Sequence, residues 1–307
     1  MNKILILTDG KAGHENQSKA FVRALGYDYE LCEVHFKSKL HKALSYLFDH
    51  LGLRLTSLGC VAQTRSLDSI SSADYAAVIG AGSGTFYLVK AWARKLGVKC
   101  GVVLYPRGYS LKGFDCVLAP GFDRPRKAPN VITIPVNLVA NDAAFYEKGV
   151  AAYRERTMVE PDIAVIIGGP NKCSTMTPEW MKRELDHIFT LPGKKAVTTS
   201  RRTPAEVEAL VDSYPWDYRL LYSRDHFNPI PAFVSLTKEL YVTAESTGML
   251  SEACTFGSAI VHQLDNLNPG NHKFRRFTED LVREGYLEGS RKVKLDEQFT
   301  AAKGLLF

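Results

Sequence analysis

The chain has 307 residues, 45% of them hydrophobic and 23% charged, the balance of a globular protein long enough for two α/β domains. Its six cysteines (Cys32, Cys60, Cys100, Cys116, Cys173 and Cys254) form no C-x-x-C pair, which argues against zinc and a disulfide framework and fits a reducing cytosol. The net charge of +6 is uneven: residues 1–150 hold 19 Lys+Arg against 12 Asp+Glu, residues 151–307 hold 20 against 21, so the first half either suits an anionic surface or a phosphorylated acceptor or serves solubility alone.

The first predicted element is a strand at 4–7, with only four consecutive apolar residues. That is shorter than the roughly 7–15 of a signal peptide, and nothing approaches the ~18 of a membrane span, so a cytoplasmic chain is expected. The loop after it reads T-D-G-K-A-G-H-E-N-Q (8–17). Gly10 and Gly13 allow tight backbone beside a ligand, and Asp9, His14 and Glu15 are three candidate proton acceptors for an attacking hydroxyl. The competing reading is a turn whose Asp and His cap the next helix. Helices are predicted over 16–25, 39–51 and 85–96, and strands over 76–79, 101–105, 116–119 and 131–135. The run 37–55 places Leu40, Leu44, Leu47, Phe48 and Leu51 on one helical face flanked by Lys37, Lys39, Lys42 and Arg54. Such a face either packs on a core or lies on an anionic leaflet.

After the strand at 76–79 comes G-A-G-S-G-T (80–85). It is spaced G-x-G-x-G and lacks an acidic partner about 20 residues later, so it is a poor NAD fingerprint. As a small-residue loop (Gly82, Ser83, Gly84) it admits an acceptor, and Arg107, after the next strand, is grouped with it. A helix over 141–156 leads to V-E-P (159–161), a linker that divides an acceptor-side domain, 1–157, from a donor domain, 158–307. The last residues are candidates to pack back on the first domain. A second alternating series follows, with strands at 163–167, 196–199, 218–222, 240–243 and 259–261 and helices at 178–190, 204–214 and 230–238. Alternation implies two doubly wound parallel sheets, with ligands at the C-terminal ends of their strands.

Three motifs of the second half follow strands or open a helix. G-G-P-N-K (168–172) and S-R-R-T-P (200–204) supply Gly169, Lys172, Ser200, Arg201 and Arg202 as cations and close-approach backbone for a diphosphate. T-A-E-S-T-G-M-L-S-E-A (243–253) opens a helix whose free N–H groups face an anion, with Glu245, Ser246, Met249 and Leu250 around its start. One turn in, the Glu252 carboxylate can accept both hydroxyls of a ribose; the alternative is an ordinary capped αβ unit with Glu252 solvated. N-H-K-F-R-R-F (271–277) offers Lys273 and Arg276 to close over phosphates, or is a helix whose Phe274 and Phe277 pack inward.

Together and in this order, T-D-G-K-A-G-H-E-N-Q, G-G-P-N-K, S-R-R-T-P, E-S-T-G-M-L-S-E-A and K-F-R-R-F resemble the family named for a plant mitochondrial fission protein. Its bacterial members are similar to GT-B glycosyltransferases. The resemblance covers most of the chain and is looser over 31–141, where P-V-N-L (135–138) departs from the family's glycine-containing turn. It implies a GT-B-like fold of two Rossmann-like domains facing across a crevice. It further implies that Glu252 holds the donor ribose, that Ser251 and its helix start face the diphosphate, and that Lys172, Arg201 and Arg202 supply charge. The Gly10 to His14 stretch is similar to the acceptor-side loop of the transferase that completes lipid II.

No convincing D-x-D motif is present, the nearest being Asp28-Tyr29-Glu30, so the expected transferase needs no metal or other cofactor. The expected partners are a nucleotide-sugar donor and an envelope glycan or lipid-linked acceptor, with peripheral membrane contact through 37–55. Nucleic acid is not expected, because the basic residues are not interleaved with aromatics. Two further readings stay open: a non-catalytic adaptor that keeps the fold, and a nucleotide-sugar epimerase.

Overall fold

A computed structural model describes residues 3–61, 74–270 and 272–307. The chain divides into two compact units, one made of Met1–Ala140 with Leu295–Phe307, the other of Asn141–Lys294.

The first unit is built on a sheet of β1 (Lys3–Thr8), β2 (Tyr29–Phe36), β3 (Gly59–Val61), β4 (Tyr75–Ala81), β5 (Lys99–Val103), β6 (Cys116–Pro120) and β7 (Val131–Ile134). Their order is β3-β2-β1-β4-β5-β6-β7, parallel except for β3, which runs antiparallel to β2 at the edge. Apolar runs such as I-L-I-L in β1 are buried on both sides, as a parallel sheet covered by helices requires. One face packs Ile4, Ile6, Ala77 and Ile79 against Phe21 of α1 (Ala12–Ala24) and against Ala302 and Leu306 of α10 (Asp296–Leu306). The other packs Leu5, Leu7 and Val78 against Tyr87, Leu88 and Trp92 of α3 (Phe86–Leu96). Helix α2 (Lys39–His50), capped by Ser38, lies over this second face through Tyr46 and Phe48.

The second unit is a five-stranded parallel sheet of β8 (Ile163–Ile166), β9 (Lys195–Thr198), β10 (Tyr218–Leu220), β11 (Glu239–Thr243) and β12 (Ile260–Leu264), in the order β10-β9-β8-β11-β12. Its helices are α4 (Ala143–Arg156), α5 (Pro178–Thr190), α6 (Ala205–Asp212), α7 (Ile230–Leu236), α8 (Thr247–Thr255) and α9 (Lys273–Arg283). Thr177 caps α5 and Pro178 opens it, where a missing N–H costs nothing.

The boundary differs from the one expected near Thr157: α4 groups with the second unit. The reason is packing. Tyr153 of α4 is fully buried with its ring 4.9 Å from Tyr218 and 5.9 Å from Phe233, and Gly149 lies flush against Pro231. Strands β2 and β3 were not expected either, because Y-E-L-C-E-V-H-F interleaves charge with apolar residues and buries only Val34. In both sheets the strand order reverses once, between β1 and β4 and between β8 and β11, so the loops leaving those strands stand side by side at their C-terminal ends. Among the described residues no helix is long and apolar enough to cross a membrane.

Candidate functional site

In the first unit the switch point brings the 8–14 loop against the 80–85 loop. Helix α1 begins at Ala12 rather than near residue 16, so Gly13, His14 and Glu15 lie in its first turn. His14 reaches back to Asp9, Nδ1 lying 2.9 Å from Oδ1, while the exposed Lys11 donates to Oδ2 at 3.1 Å. The Asp9 side chain is only 7% exposed. Burial by itself raises its pKa, yet the hydrogen bonds and charges of His14 and Lys11 outweigh that and hold the carboxyl below its ordinary value. An ionised carboxylate at Nδ1 requires the proton there, which leaves Nε2 as the acceptor. Nε2 has no protein partner among the described residues.

Gly82 explains how the ring is seated. Its φ is +83°, and a Cβ there would fall 2.2 Å from His14 Nδ1 and Cε1, so only glycine lets the ring lie on this loop. Gly84 lies close on the Asp9 side chain, where a Cβ would fall 2.7 Å away. Ser83 accepts from Lys42 Nζ at 3.2 Å. Three candidates are not brought to the pair. The Glu15 carboxylate is taken by Lys19 at 2.5 Å, Arg107 donates to the Asp123 carbonyl at 2.6 Å, and Gly13 has open space where a side chain would go. Gly10 takes a positive φ of 74° beside Glu33.

In the second unit the switch point carries a cavity of about 540 Å³, lined by Asn171, Lys172, Cys173, Arg202, Glu245, Ser246, Thr247, Gly248 and Phe274. Two loops meet at Gly169, where a Cβ would sit 2.2 Å from the Arg202 carbonyl oxygen. Thr203 donates to the Gly168 carbonyl at 2.6 Å, and Ser200 Oγ accepts from the Arg202 amide at 3.2 Å, so the 200–204 turn is stitched to the end of β8. Ser246 caps α8 by accepting from the Met249 amide, and the amides of Thr247 and Gly248 have no acceptor among the described residues. Lys172 and Arg202 have no carboxylate partner among the described residues. Two cations and two open amides therefore share one cavity, the composition of an anion site.

Several expected donor residues play other parts. Glu245 is 2% exposed, and its carboxylate accepts from the Gly169 amide at 2.8 Å, from Thr243 Oγ1 at 3.1 Å and from Asn266 Nδ2 at 2.8 Å. It ties the ends of β8, β11 and β12 together below the cavity. Ser251, expected to face the diphosphate, is buried and donates to the Thr247 carbonyl at 2.6 Å, and Leu250 is likewise buried. Arg201 is exposed on the turn outside the lining. Of α9, Phe274 lines the cavity, Phe277 is buried, Lys273 sits 5.2 Å from the Phe274 ring, and Arg276 is half-buried outside the lining. Asn271 lies outside the described residues.

Glu252 stands one turn beyond Gly248 on the same face of α8. It is half-buried: Oε1 accepts from Tyr146 OH at 2.8 Å and from Asn141 Nδ2 at 3.2 Å, while Oε2 has no protein partner among the described residues. Burial pushes its pKa above the ordinary carboxylate value, against the lowering effect of those two bonds. Sequence reasoning missed Asn141, Tyr146, Asn171, Thr247 and Gly248, and only the spacing of Gly248 and Glu252 on one helix face signalled any of them. No group of three or more His, Cys, Asp or Glu is placed to hold a metal ion among the described residues.

Solved structures share the fold at low identity. A UDP-N-acetylglucosamine 2-epimerase from Listeria monocytogenes, so described as putative, aligns with a TM-score of 0.56 and 10% identity over 100% of this chain and 88% of its own. The UDP-GlcNAc 2-epimerase of Neisseria meningitidis bound to UDP-GlcNAc gives 0.52 and 10%, over 99% and 98%. Medicago truncatula UGT71G1 complexed with UDP-glucose gives 0.51 and 9%, over 100% and 90%. The fold is thus the GT-B-like α/β class with two Rossmann-like halves. No curated protein sequence matches the chain significantly. A family model does: the one described as Mitochondrial fission ELM1 matches residues 12–303, and the chain belongs to that family.

Proposed function

We propose that the chain is a metal-independent glycosyltransferase that moves a sugar from a nucleoside-diphosphate sugar to a hydroxyl of an envelope glycan or lipid-linked acceptor. The observation that carries this reading is the second-unit cavity, where Lys172, Arg202 and the Thr247 and Gly248 amides gather while the lining carboxylate of Glu245 is taken up by Gly169, Thr243 and Asn266. In the mechanism, the diphosphate sits on those groups and the base lies against Phe274. The ribose hydroxyls donate to the open Oε2 of Glu252. On the first unit, His14 Nε2 is the group able to take a proton from a hydroxyl, with Asp9 holding the imidazole by Nδ1 and balancing the imidazolium that forms. The acceptor oxygen bonds to the anomeric carbon as the bond to the diphosphate oxygen breaks. The two cations and two amides stabilise the charge that arrives on the leaving group, the task a metal ion performs elsewhere.

Fold likeness to epimerases supports a second reading, in which the same cavity holds a UDP-sugar and the product is its epimer. The family's name supports a third, a binding protein without turnover. Thermal unfolding with UDP, GDP, CMP and ADP, each with and without EDTA, separates them from the start. A nucleotide at about 100 times its Kd adds roughly 2.7 kcal/mol. One nucleotide should stabilise the chain equally with EDTA, and Lys172→Ala/Arg202→Ala should erase the shift. Loss of the shift with EDTA would end metal independence, and no shift with any nucleotide would leave the binding-protein reading in front. Turnover of the matching nucleotide sugar without acceptor, to a new sugar configuration by NMR, would establish the epimerase.

A further inference from the structure

Helix α2 carries apolar side chains both inward and outward. Inward, Tyr46 and Phe48 pack on the core beside Ser45 and Asp49, both buried. Ser45 Oγ lies 2.9 Å from Tyr109 OH, and Asp49 accepts from Lys90 Nζ at 2.8 Å and from the Ser110 amide at 2.7 Å. The outward face carries leucines: Leu40, Leu47 and Leu51 are 66%, 54% and 64% exposed, and Leu53 and Leu55 continue the exposed apolar surface past the helix end. A surface helix ordinarily turns that stripe inward, and a contiguous exposed apolar patch marks an interaction site.

The charge around the patch selects the partner. The only carboxylate between residues 37 and 58 is Asp49, which is buried against Lys90 and Arg54. Lys37 and Lys39 at the start of the helix are exposed. The segment therefore presents apolar surface and positive charge with no exposed negative charge, which is complementary to an anionic bilayer. We propose that α2 and the 51–55 segment lie on an anionic phospholipid surface, the leucines at the acyl boundary and Lys37 and Lys39 at the headgroup phosphates. Lys42 of the same helix holds Ser83, in the loop that seats His14 and Asp9. On the transferase reading, on which this last step rests, the acceptor is then lipid-linked.

Co-sedimentation of the full chain with vesicles of phosphatidylcholine, alone or mixed with phosphatidylglycerol, tests the contact. Binding is expected to the mixed vesicles and to weaken as salt is raised. Leu40→Ser/Leu47→Ser/Leu51→Ser should lower it at least about tenfold, and Lys37→Glu/Lys39→Glu should remove the preference for anionic lipid. All five side chains are exposed, so both variants should melt like the parent. No binding to either vesicle, or undiminished binding by both variants, overturns the proposal. So does a dimer that the leucine variant dissolves without any vesicle binding, which assigns the face to a second copy of the chain. The nucleotide thermal shift, read on the same proteins, fails separately if the transferase reading is the one at fault.

Discussion

At Asp9 burial and hydrogen bonding pull in opposite directions, and the bonds win. The carboxylate therefore stays ionised through the ordinary carboxylate range and fixes His14 with its proton on Nδ1. Its contribution to stability is present above the unfolded-state pKa and is lost as pH falls through the lowered folded-state value. Asp9→Asn should cut kcat by about 10²–10⁴-fold while leaving the nucleotide thermal shift in place. Its stability deficit against the parent, read by denaturant titration across acid pH, should shrink as Asp9 protonates. An unchanged kcat would remove the dyad from the mechanism. Glu252 has the opposite sign. Burial raises its pKa, so the cost of its charge is absent at low pH and grows as pH rises through the raised value. Glu252→Gln should be no less stable than the parent at neutral pH by thermal unfolding, yet bind nucleotide at least about tenfold more weakly by calorimetry, since an amide is the poorer partner for two hydroxyl donors. Equal affinity would place the ribose elsewhere.

At the scale of elements, the periodicity of the sequence carried most helices, though not α10, and most strands, because apolar runs such as I-L-I-L and A-V-I-G announce a strand buried on both faces. It failed at β2, where only one side chain is buried, and at the start of α1, where the Asp9–His14 bond folds a glycine-bearing loop into helix. The loops after strands were legible as sites, but the roles within them were not. Whether a carboxylate points inward, as Glu245 does, or keeps an open oxygen, as Glu252 does, depends on partners 21 to 111 residues away. Gly169 shows how elements then set a site together, since the end of β8 and the 200–204 turn touch where a side chain would be. Gly169→Ala should displace that turn and, with it, Arg202. We expect a loss of about 1–3 kcal/mol in stability and a nucleotide shift reduced by more than that deficit explains, both measured by thermal unfolding. A variant with normal nucleotide binding would show that Arg202 is dispensable.

At the scale of the molecule, the first unit is assembled from two distant stretches of chain. Helix α10 contributes Ala302 and Leu306 to the cluster around Ile4 and Ile6, and Phe307 stacks on Tyr27 at 4.5 Å. A chain ending at Lys294 should lose about 3–5 kcal/mol from the first unit, the cost of uncovering one helix-wide apolar face, and hydrogen exchange should rise in β5, β6 and β7, the strands α10 packs on, while β8 and β11 keep their protection. Uniform loosening of both sheets would contradict the division.

The same connectivity constrains the order of events on the ribosome. The second unit is an insertion within the first, so 154 residues, Asn141–Lys294, are made between the two parts of one core. At about 5–20 residues per second, the first sheet waits on the order of ten seconds or more with the apolar face destined for α10 uncovered, while the second sheet has its whole sequence available first. The nascent first unit is the stage most exposed to aggregation or chaperone capture, although its strands are the earliest to be synthesised.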